Sequence, residues 1–463
     1  AFLGGPSLHV LNGTLVLLLL AWAAGALVAW RAGGRRASLV LRMILPVAAL
    51  GLFGRWLSSP APDVAVAVLL WAVAALTLES LETPETNEPD SSAAELTRLG
   101  AVAALAGFAV AVKLSALPVL LLPVLLAGRR LTAGRRRAVA GALAALALAA
   151  LMVIPTVAQT VVTTGHPVFP LPALDPFDFD WEMPAWLVER QARWIPTWAR
   201  VPHRPTAEVE AMGAGEWLPL WWEHLPASAQ AALAAVLVLL PLRAALALAG
   251  RGRSGRAGLK RPGMKKRPGI KSPGYDVAPA EAGFHRPPSG ASGSAPVAGR
   301  GSRDRLLLEA ALVAGLVFWF VLAPDPRFGW GFLLPLAVLL ADGVARALGW
   351  RSPVGFPISA LPGAVLLTVV VVQIWQVQAW EPRTFATAAR HFLVPADYPL
   401  PNGLREATLG GLRVQVPFPN DRCWYHPFPC TPMPDPRLEP RGRTLADGFR
   451  LRAAAPPPAA SSR

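Results

Sequence analysis

The stretch VFWFVLAPDPRFGWGFLLPLAVLLADG, residues 317–343, contains two apolar runs joined by a short polar link. Both runs have the composition of membrane-spanning helices, which favours a hairpin of two buried helices. The link 324–329 nevertheless carries a carboxylate, Asp325, and a guanidinium, Arg327. Ionisable side chains at membrane depth are energetically costly, so their presence in so short a link indicates a functional role.

The whole chain has the composition of a membrane protein. It is 53% hydrophobic and only 16% charged, whereas soluble domains contain about 25% charged residues. Apolar runs recur from end to end, which predicts an all-α integral membrane protein with about ten membrane-embedded helices. These helices are expected at 9–30, 38–54, 64–80, 99–112, 115–127, 138–158, 228–249, 306–323, 330–348 and 354–377.

The net charge of +15 reflects membrane topology and not a nucleic-acid partner. The basic residues cluster at 31–36, 129–137, 251–305 and 346–351, and the alternating apolar runs place all four clusters on one side of the membrane. The positive-inside rule makes that side cytoplasmic. We therefore expect a multi-pass protein of the cell inner (plasma) membrane that contacts membrane lipids.

The predicted spans divide the chain into six segments. Two spans, 99–112 and 115–127, are too short to cross about 30 Å of hydrocarbon separately. They predict a broken pair that enters from the cytoplasm, turns near Lys113 and returns. The segments are 1–158, the N-terminal transmembrane helices with the broken pair 99–127; 159–227, an extracytoplasmic insertion rich in Trp and Pro; 228–249, one transmembrane helix; 250–305, a disordered basic cytoplasmic loop; 306–377, three transmembrane helices; and 378–463, an extracytoplasmic tail.

Two local features are expected on the outer side. The insertion is predicted to form amphipathic surface helices at 186–198 and 216–224. Cys423 and Cys430, in the outer tail, are the only cysteines of the sequence. In an oxidising exterior such a pair favours a disulfide. A zinc site that also uses His426 is the alternative, although this spacing matches no standard structural zinc site.

Five polar residues lie where the predicted spans end on the outer face: Asp63, Lys113, His166, Asp325 and Arg327. Each also has a structural interpretation: a helix N-cap for Asp63, a snorkelling side chain for Lys113, a turn residue for His166, and mutual pairing for Asp325 and Arg327. The planar fork of Arg327 suits a phosphate group, which favours a binding role at the headgroup boundary.

The motifs of soluble enzymes are absent from the sequence. There is no GxGxxG after a strand, no Walker A, no HExxH and no GxSxG. Their absence disfavours ATP-driven transport and zinc proteolysis, and we predict no metal and no cofactor.

Several short segments together resemble a family of bacterial multi-pass proteins that is similar to the GT-C glycosyltransferases. They are HVLNG at 9–13, LSSPAPDVAVAVLLW at 57–71, FAVAVKLSALPVLLLP at 108–123, TTGHPVFP at 163–170, APDPRFGWGFLLPLA at 323–337 and CWYHPFPCTPMPDPRLEPRG at 423–442. The resemblance implies a GT-C-like helical bundle. It also implies transfer of a sugar from a polyprenyl-phosphate donor to a cell-envelope acceptor on the outer face.

The resemblance implies a catalytic acidic residue, acting as general base, in the first outer loop, and here no Asp or Glu precedes Asp63. We therefore expect the catalytic carboxylate either upstream of Ala1, in a longer chain, or at Asp63. Arg327, helped by Lys113, is expected to stabilise the departing phosphate, with Asp325 and His166 also in the substrate site.

Two other classes of function remain open. A transporter or flippase for a lipid-linked sugar would use the same cavity and the same arginine, although it should show related halves, and no internal symmetry is evident. A non-catalytic membrane scaffold would leave the outer polar residues scattered. For an enzyme, Asp63, Lys113, His166 and Arg327 should converge in one cleft.

Overall fold

A computed structural model of the chain gives a mostly helical protein. The structure describes residues 7–32, 37–53, 62–83, 89–131, 136–171, 173–257, 300–349, 403–418, 423, 429–431 and 434–452. The predicted span 354–377 and most of the predicted loop 250–305 lie outside these residues.

Twelve α-helices are found within the described ranges. They are α1 (Ser7–Arg31), α2 (Ala37–Phe53), α3 (Asp63–Glu82), α4 (Pro89–Val112), α5 (Leu121–Leu131), α6 (Arg136–Thr164), α7 (Ala185–Arg200), α8 (Thr206–Ala211), α9 (Ala214–His224), α10 (Ala227–Ala257), α11 (Arg300–Leu322) and α12 (Pro326–Ala347). A 3-10 helix, Leu114–Leu120, joins α4 to α5.

Seven of the described helices are long and apolar enough to cross a membrane: α1, α3, α4, α6, α10, α11 and α12. Each coincides with a span predicted from the sequence. Helix α4 differs most from expectation, because it begins at Pro89 and not at 99, and its apolar part is long enough to cross alone. The first turns of α4 contain polar residues, so the hydropathy of the sequence did not indicate that the helix begins there. Proline is well suited to the first helical position.

The candidate membrane-spanning helices differ in how deeply they are buried within the protein. Helices α3 and α12 are central, since 78% and 89% of their apolar windows are buried within the protein, against 17% in α1 and α6. Trp71 of α3 ties the two central helices together by donating its indole N–H to the carbonyl of Trp330, 2.9 Å away. The helices at the periphery of the bundle expose large apolar side chains such as Leu143 and Leu237. Such exposure is expected for surfaces in contact with lipid acyl chains.

The C-terminal region contains β-structure that the sequence analysis did not predict. Strands β1 (Leu404–Leu409) and β2 (Leu412–Pro417) form one antiparallel pair, and β3 (Leu438–Pro440) and β4 (Phe449–Leu451) form another. The all-α description therefore applies to the helical bundle and not to this region. A disulfide between Cys423 and Cys430 lies beside β2, because Gln415 exchanges backbone hydrogen bonds with Pro429 and Thr431.

Helices α4 and α6 approach each other closely at Gly107. A Cβ atom at that position would lie 2.4 Å from the carbonyl oxygen of Ala149 and 2.9 Å from its Cα. Backbone atoms cannot turn away as a flexible side chain can, so the absence of a side chain at Gly107 permits this contact. Small residues serve the same purpose at many helix interfaces in membranes.

We predict that Gly107→Ala destabilises the protein by about 1–3 kcal/mol, because the two helices must separate. Gly100→Ala is the matched control on the same helix, since nothing lies within 4 Å of its added Cβ. The control should be neutral or stabilising by up to about 1 kcal/mol. Unfolding of both variants in detergent micelles, followed by tryptophan fluorescence, measures the difference, and equal midpoints would contradict the close approach.

Candidate functional site

Asp63 is the first residue of α3, and only 6% of it is exposed. Its carboxylate does not cap the helix, so the N-cap interpretation is not realised. The carboxylate instead accepts a hydrogen bond from Nζ of Lys113 at 2.5 Å, and Oδ2 lies 4.0 Å from Nη1 of Arg327. Two cations from different helices therefore face one buried carboxylate.

Lys113 lies at the break between α4 and the 3-10 helix. Its backbone is extended, with φ −158° and ψ 125°, so the chain leaves the α-helix here and the side chain turns inward. The ammonium lies 3.3 Å from the ring centroid of Phe328, a cation–π contact that adds to the ion pair. The amine is therefore held by Asp63 and Phe328, which argues against the interpretation of Lys113 as a snorkelling residue.

Asp325 and Arg327 form a local unit at the start of α12. Asp325 is the N-cap, and its Oδ1 accepts a hydrogen bond from the backbone N–H of Arg327 at 2.9 Å. The guanidinium of Arg327 also binds both carboxylate oxygens, with Nε to Oδ1 at 3.0 Å and Nη2 to Oδ2 at 2.9 Å. The mutual pairing considered from the sequence is therefore present.

The same Asp-Arg unit occurs a second time in the chain. Within the described residues, the arginine of this second unit contacts no further carboxylate in the way that Arg327 contacts Asp63. Both copies read Pro-Asp-Pro-Arg, at 324–327 and 434–437. In the second copy Asp435 accepts from the backbone N–H of Arg437 at 2.9 Å, and Nη2 of Arg437 lies 2.9 Å from Oδ2. Hydrogen bonding from Arg437 holds the pKa of Asp435 below its usual value. An Asp-Arg pair of this kind is thus a property of local sequence, and the contact with Asp63 is what distinguishes Arg327.

Aromatic residues fix the turn that carries this pair. Trp221 of α9 donates its indole N–H to the carbonyl of Pro324 at 2.7 Å, and Trp319 of α11 donates to the carbonyl of Asp325 at 2.7 Å. Trp198 of α7 places its ring 5.2 Å from Cζ of Arg327. Residues of the 159–227 segment therefore pack directly on the turn between α11 and α12.

We call Asp63, Lys113, Asp325 and Arg327 the charged cluster. It contains two carboxylates and two cations, so its formal charge is balanced. The side chains of Lys113 and Arg327 are 24% and 25% exposed, so the two cations are the more accessible members, while Asp63 lies beneath them. Such a site can bind an anion if the anion replaces the carboxylates as partner of the cations.

His166 belongs to a different group of residues. It follows the end of α6, and its Nδ1 lies 3.6 Å from Oδ1 of Asp175, while Nε2 lies 3.4 Å from Oε1 of Glu182 and 3.2 Å from the carbonyl oxygen of Met183. Burial raises the pKa of the Glu182 carboxyl, and the neighbouring carboxyl of Asp175 raises it further. The described contacts of His166 are therefore with the insertion and not with the charged cluster.

A second buried ionic network lies at the opposite end of α12. Arg305 of α11 pairs with Asp342 of α12, which also accepts from Nε of Arg346 at 2.8 Å. Nε of Arg243, on α10, lies 3.5 Å from Oε1 of Glu309. These ion pairs join α10, α11 and α12. Their role is structural, because the opposite charges neutralise one another inside the bundle.

The residues that complete the charged cluster and the His166 group were not predicted from the sequence. Trp198 falls within the predicted surface helix 186–198 and Phe328 within the link 324–329, and no motif points to Asp175 or Glu182. Phe328 directly follows Arg327, which is the only local signal of its role. The spacing of His166, Asp175 and Glu182 matches no standard motif, so nothing in the sequence indicates that these residues form a group.

The chain is a mostly helical protein, and seven of its described helices are long and apolar enough to span a membrane. Residues 1–254 match the family described as Domain of unknown function (DUF8201), and the chain belongs to this family. The matched region includes Asp63, Lys113 and His166 and ends within α10, before Asp325 and Arg327. No curated protein and no solved structure matches the chain.

We predict that the Asp63–Lys113 pair couples the two helices energetically. Lys113→Met should destabilise the protein by about 3 kcal/mol, because it removes a partner of a buried carboxylate. Asp63→Asn should do the same, and the double variant should be less destabilised than the sum, with a coupling of about 1–3 kcal/mol.

The exposed i,i+4 pair Arg204–Glu208 is the control for this double-mutant cycle, and its coupling should not exceed about 0.5 kcal/mol. Both cycles are measured by SDS-induced unfolding in mixed micelles. Additive effects of the Asp63 and Lys113 substitutions would show that the pair is not formed.

Proposed function

We propose that the protein is a membrane glycosyltransferase of the GT-C type that transfers a sugar from a polyprenyl-phosphate donor to a cell-envelope acceptor. The observation that carries the proposal is the convergence of Asp63, Lys113 and Arg327 from the starts or ends of three separate helices. A carboxylate and two cations at one point provide the groups that displacement of a sugar phosphate requires.

The proposal includes an orientation. The charged cluster lies on the outer face of the cell membrane, at the headgroup boundary, and the basic ends of the helices lie in the cytoplasm. About ten membrane-embedded helices form the complete bundle, of which seven candidate spans are described. The insertion then covers the outer end of the bundle, in keeping with the packing of Trp198 and Trp221 on the turn before α12.

In the proposed mechanism the phosphate of the donor binds to Arg327 and Lys113. These cations are held by Asp325 and Asp63 in the absence of donor, so the phosphate competes with the two carboxylates. Arg is well suited to this exchange because its planar fork binds phosphate and carboxylate in the same bidentate manner. Release of Asp63 from Lys113 then frees a carboxylate beside the donor.

Asp63 accepts the proton of the acceptor hydroxyl as its oxygen attacks the anomeric carbon of the sugar. The new C–O bond forms on the face opposite the phosphate, and the bond between the anomeric carbon and the phosphate oxygen breaks. The electron pair leaves with the polyprenyl phosphate, whose charge Arg327 and Lys113 stabilise. Direct displacement of this kind inverts the configuration of the sugar.

Arg327→Gln tests the role of the cation. We expect sugar transfer to fall by a factor of about 10²–10³, the effect of removing one preorganised group from a developing charge. Transfer is measured in proteoliposomes supplied with a panel of polyprenyl-phosphate-linked hexoses and pentoses and with isolated envelope glycans as acceptors.

Arg437→Gln is the matched control, because it removes an arginine from the same Pro-Asp-Pro-Arg unit outside the charged cluster. It should retain full transfer. Unchanged turnover in Arg327→Gln, with native thermal stability, would remove this residue from the site.

Asp63→Asn separates catalysis from binding. It should lower turnover by a factor of about 10²–10⁴ while polyprenyl phosphate still binds, because the amide cannot accept the acceptor proton. Binding is followed through the tryptophan fluorescence of the folded variant, with Asp63→Glu as a conservative comparison. Movement of the labelled lipid across the bilayer without any sugar transfer by the wild-type protein would favour a flippase instead.

A further inference from the structure

A group of potential metal-ligating atoms lies at the junction between α6 and the insertion. His166, Asp175 and Glu182 each offer one ligand atom, and all three atoms lie within 4.8 Å of one another. A tetrahedral zinc site with bonds of about 2.0–2.1 Å places its ligand atoms about 3.4 Å apart. The separation of 3.6 Å between Nδ1 of His166 and Oδ1 of Asp175 is close to that value.

The imidazole of His166 provides an independent indication of a ligand. His166 is only 2% exposed, and its Nδ1 is buried with no hydrogen-bond partner within the described part of the chain. The other nitrogen, Nε2, lies 3.2 Å from the carbonyl oxygen of Met183. The tautomer that donates from Nε2 to this carbonyl leaves a lone pair on Nδ1, directed at the carboxylate of Asp175.

That arrangement is the usual one for a histidine bound to a metal. A ligating imidazole commonly donates its second N–H to a backbone carbonyl, which fixes the ring and the tautomer. In the absence of a cation, the Nδ1 lone pair and the carboxylate of Asp175 would face each other without a proton between them.

Backbone contacts bring the residues of this group together without any ion. Gly165 has φ +84°, and a Cβ there would lie 2.4 Å from Cγ of Glu182, so only glycine allows the two segments to approach. The N–H of Met183 donates to the carbonyl of Thr164 at 2.8 Å, and the N–H of His166 donates to the hydroxyl of Thr164 at 3.2 Å. These contacts place His166 beside Glu182, which lies sixteen positions further along the chain.

We propose that His166, Asp175 and Glu182 bind a divalent transition-metal ion of the zinc type. One imidazole and two carboxylates form a donor set suited to zinc, and three protein ligands leave a further position for water or another ligand. The ion links the end of α6 to the segment that precedes α7. Because Leu451 donates its N–H to the carbonyl of Asp180 at 2.9 Å, the C-terminal hairpin rests on the same segment.

The site is tested with untagged full-length protein in detergent micelles, so that an affinity tag supplies no histidines. The protein is treated with EDTA, dialysed against zinc chloride or magnesium chloride, and its metal content is measured by mass spectrometry. We expect about one zinc per chain, no retained magnesium, and a higher melting temperature with zinc.

Asp175→Asn should weaken zinc binding by about tenfold or more and abolish the zinc-dependent rise in melting temperature. This carboxylate is 35% exposed, so the variant is expected to fold even if His166→Gln does not. Asp178→Asn is the matched control, an exposed carboxylate three residues along the same segment, and should bind zinc like the wild type.

Two outcomes overturn the proposal. One is a wild-type protein that retains no zinc, which would show that the three side chains form a polar contact without a metal site. The other is unchanged zinc affinity in Asp175→Asn. The measurement does not involve sugar transfer, so its result is independent of the function proposed above.

Discussion

Burial of the Asp63 carboxylate inside an apolar bundle is the constraint on which this end of the helical bundle depends. An ionised group in such surroundings must be paired and hydrogen-bonded. Lys113 and Arg327 meet this requirement from two other helices, at 2.5 Å and 4.0 Å. The break after α4 and the start of α12 are therefore held against the start of α3. Helices α3 and α12 are the most deeply buried of the candidate spans, and the hydrogen bond from Trp71 to the carbonyl of Trp330 ties them together.

The composition of the link between α11 and α12 follows from these contacts. Its proline and aspartate start α12 and cap it, and its arginine pairs with the cap. The second Pro-Asp-Pro-Arg copy forms the same pair in the C-terminal region, so the pair alone carries no functional meaning. What sets the first copy apart is its surroundings, which are Asp63 below it, Lys113 and Phe328 beside it, and Trp198 of the insertion at its edge.

The 159–227 segment thus takes part in two distinct groups of polar residues. Helices α7 and α9 pack on the charged cluster and its turn, while the segment before α7 carries Asp175 and Glu182 to His166. The two groups differ in chemistry. The charged cluster presents two cations held by carboxylates, as an anion site requires, whereas the His166 group presents lone pairs with a deficit of donors, as a cation site requires.

The sequence by itself determined the helical spans, because a run of apolar residues long enough for a bilayer has few other stable forms. It also identified Asp63, Lys113, Asp325 and Arg327 as unusual, since ionisable residues at span ends are costly wherever they lie. Only the tertiary structure decided that these four residues meet and that His166 lies elsewhere. Distances between helix ends depend on how the helices pack, and contacts such as the one at Gly107 leave no trace in hydropathy. The C-terminal strands were missed for a related reason, because short strands are stabilised by their pairing partners more than by their own sequence.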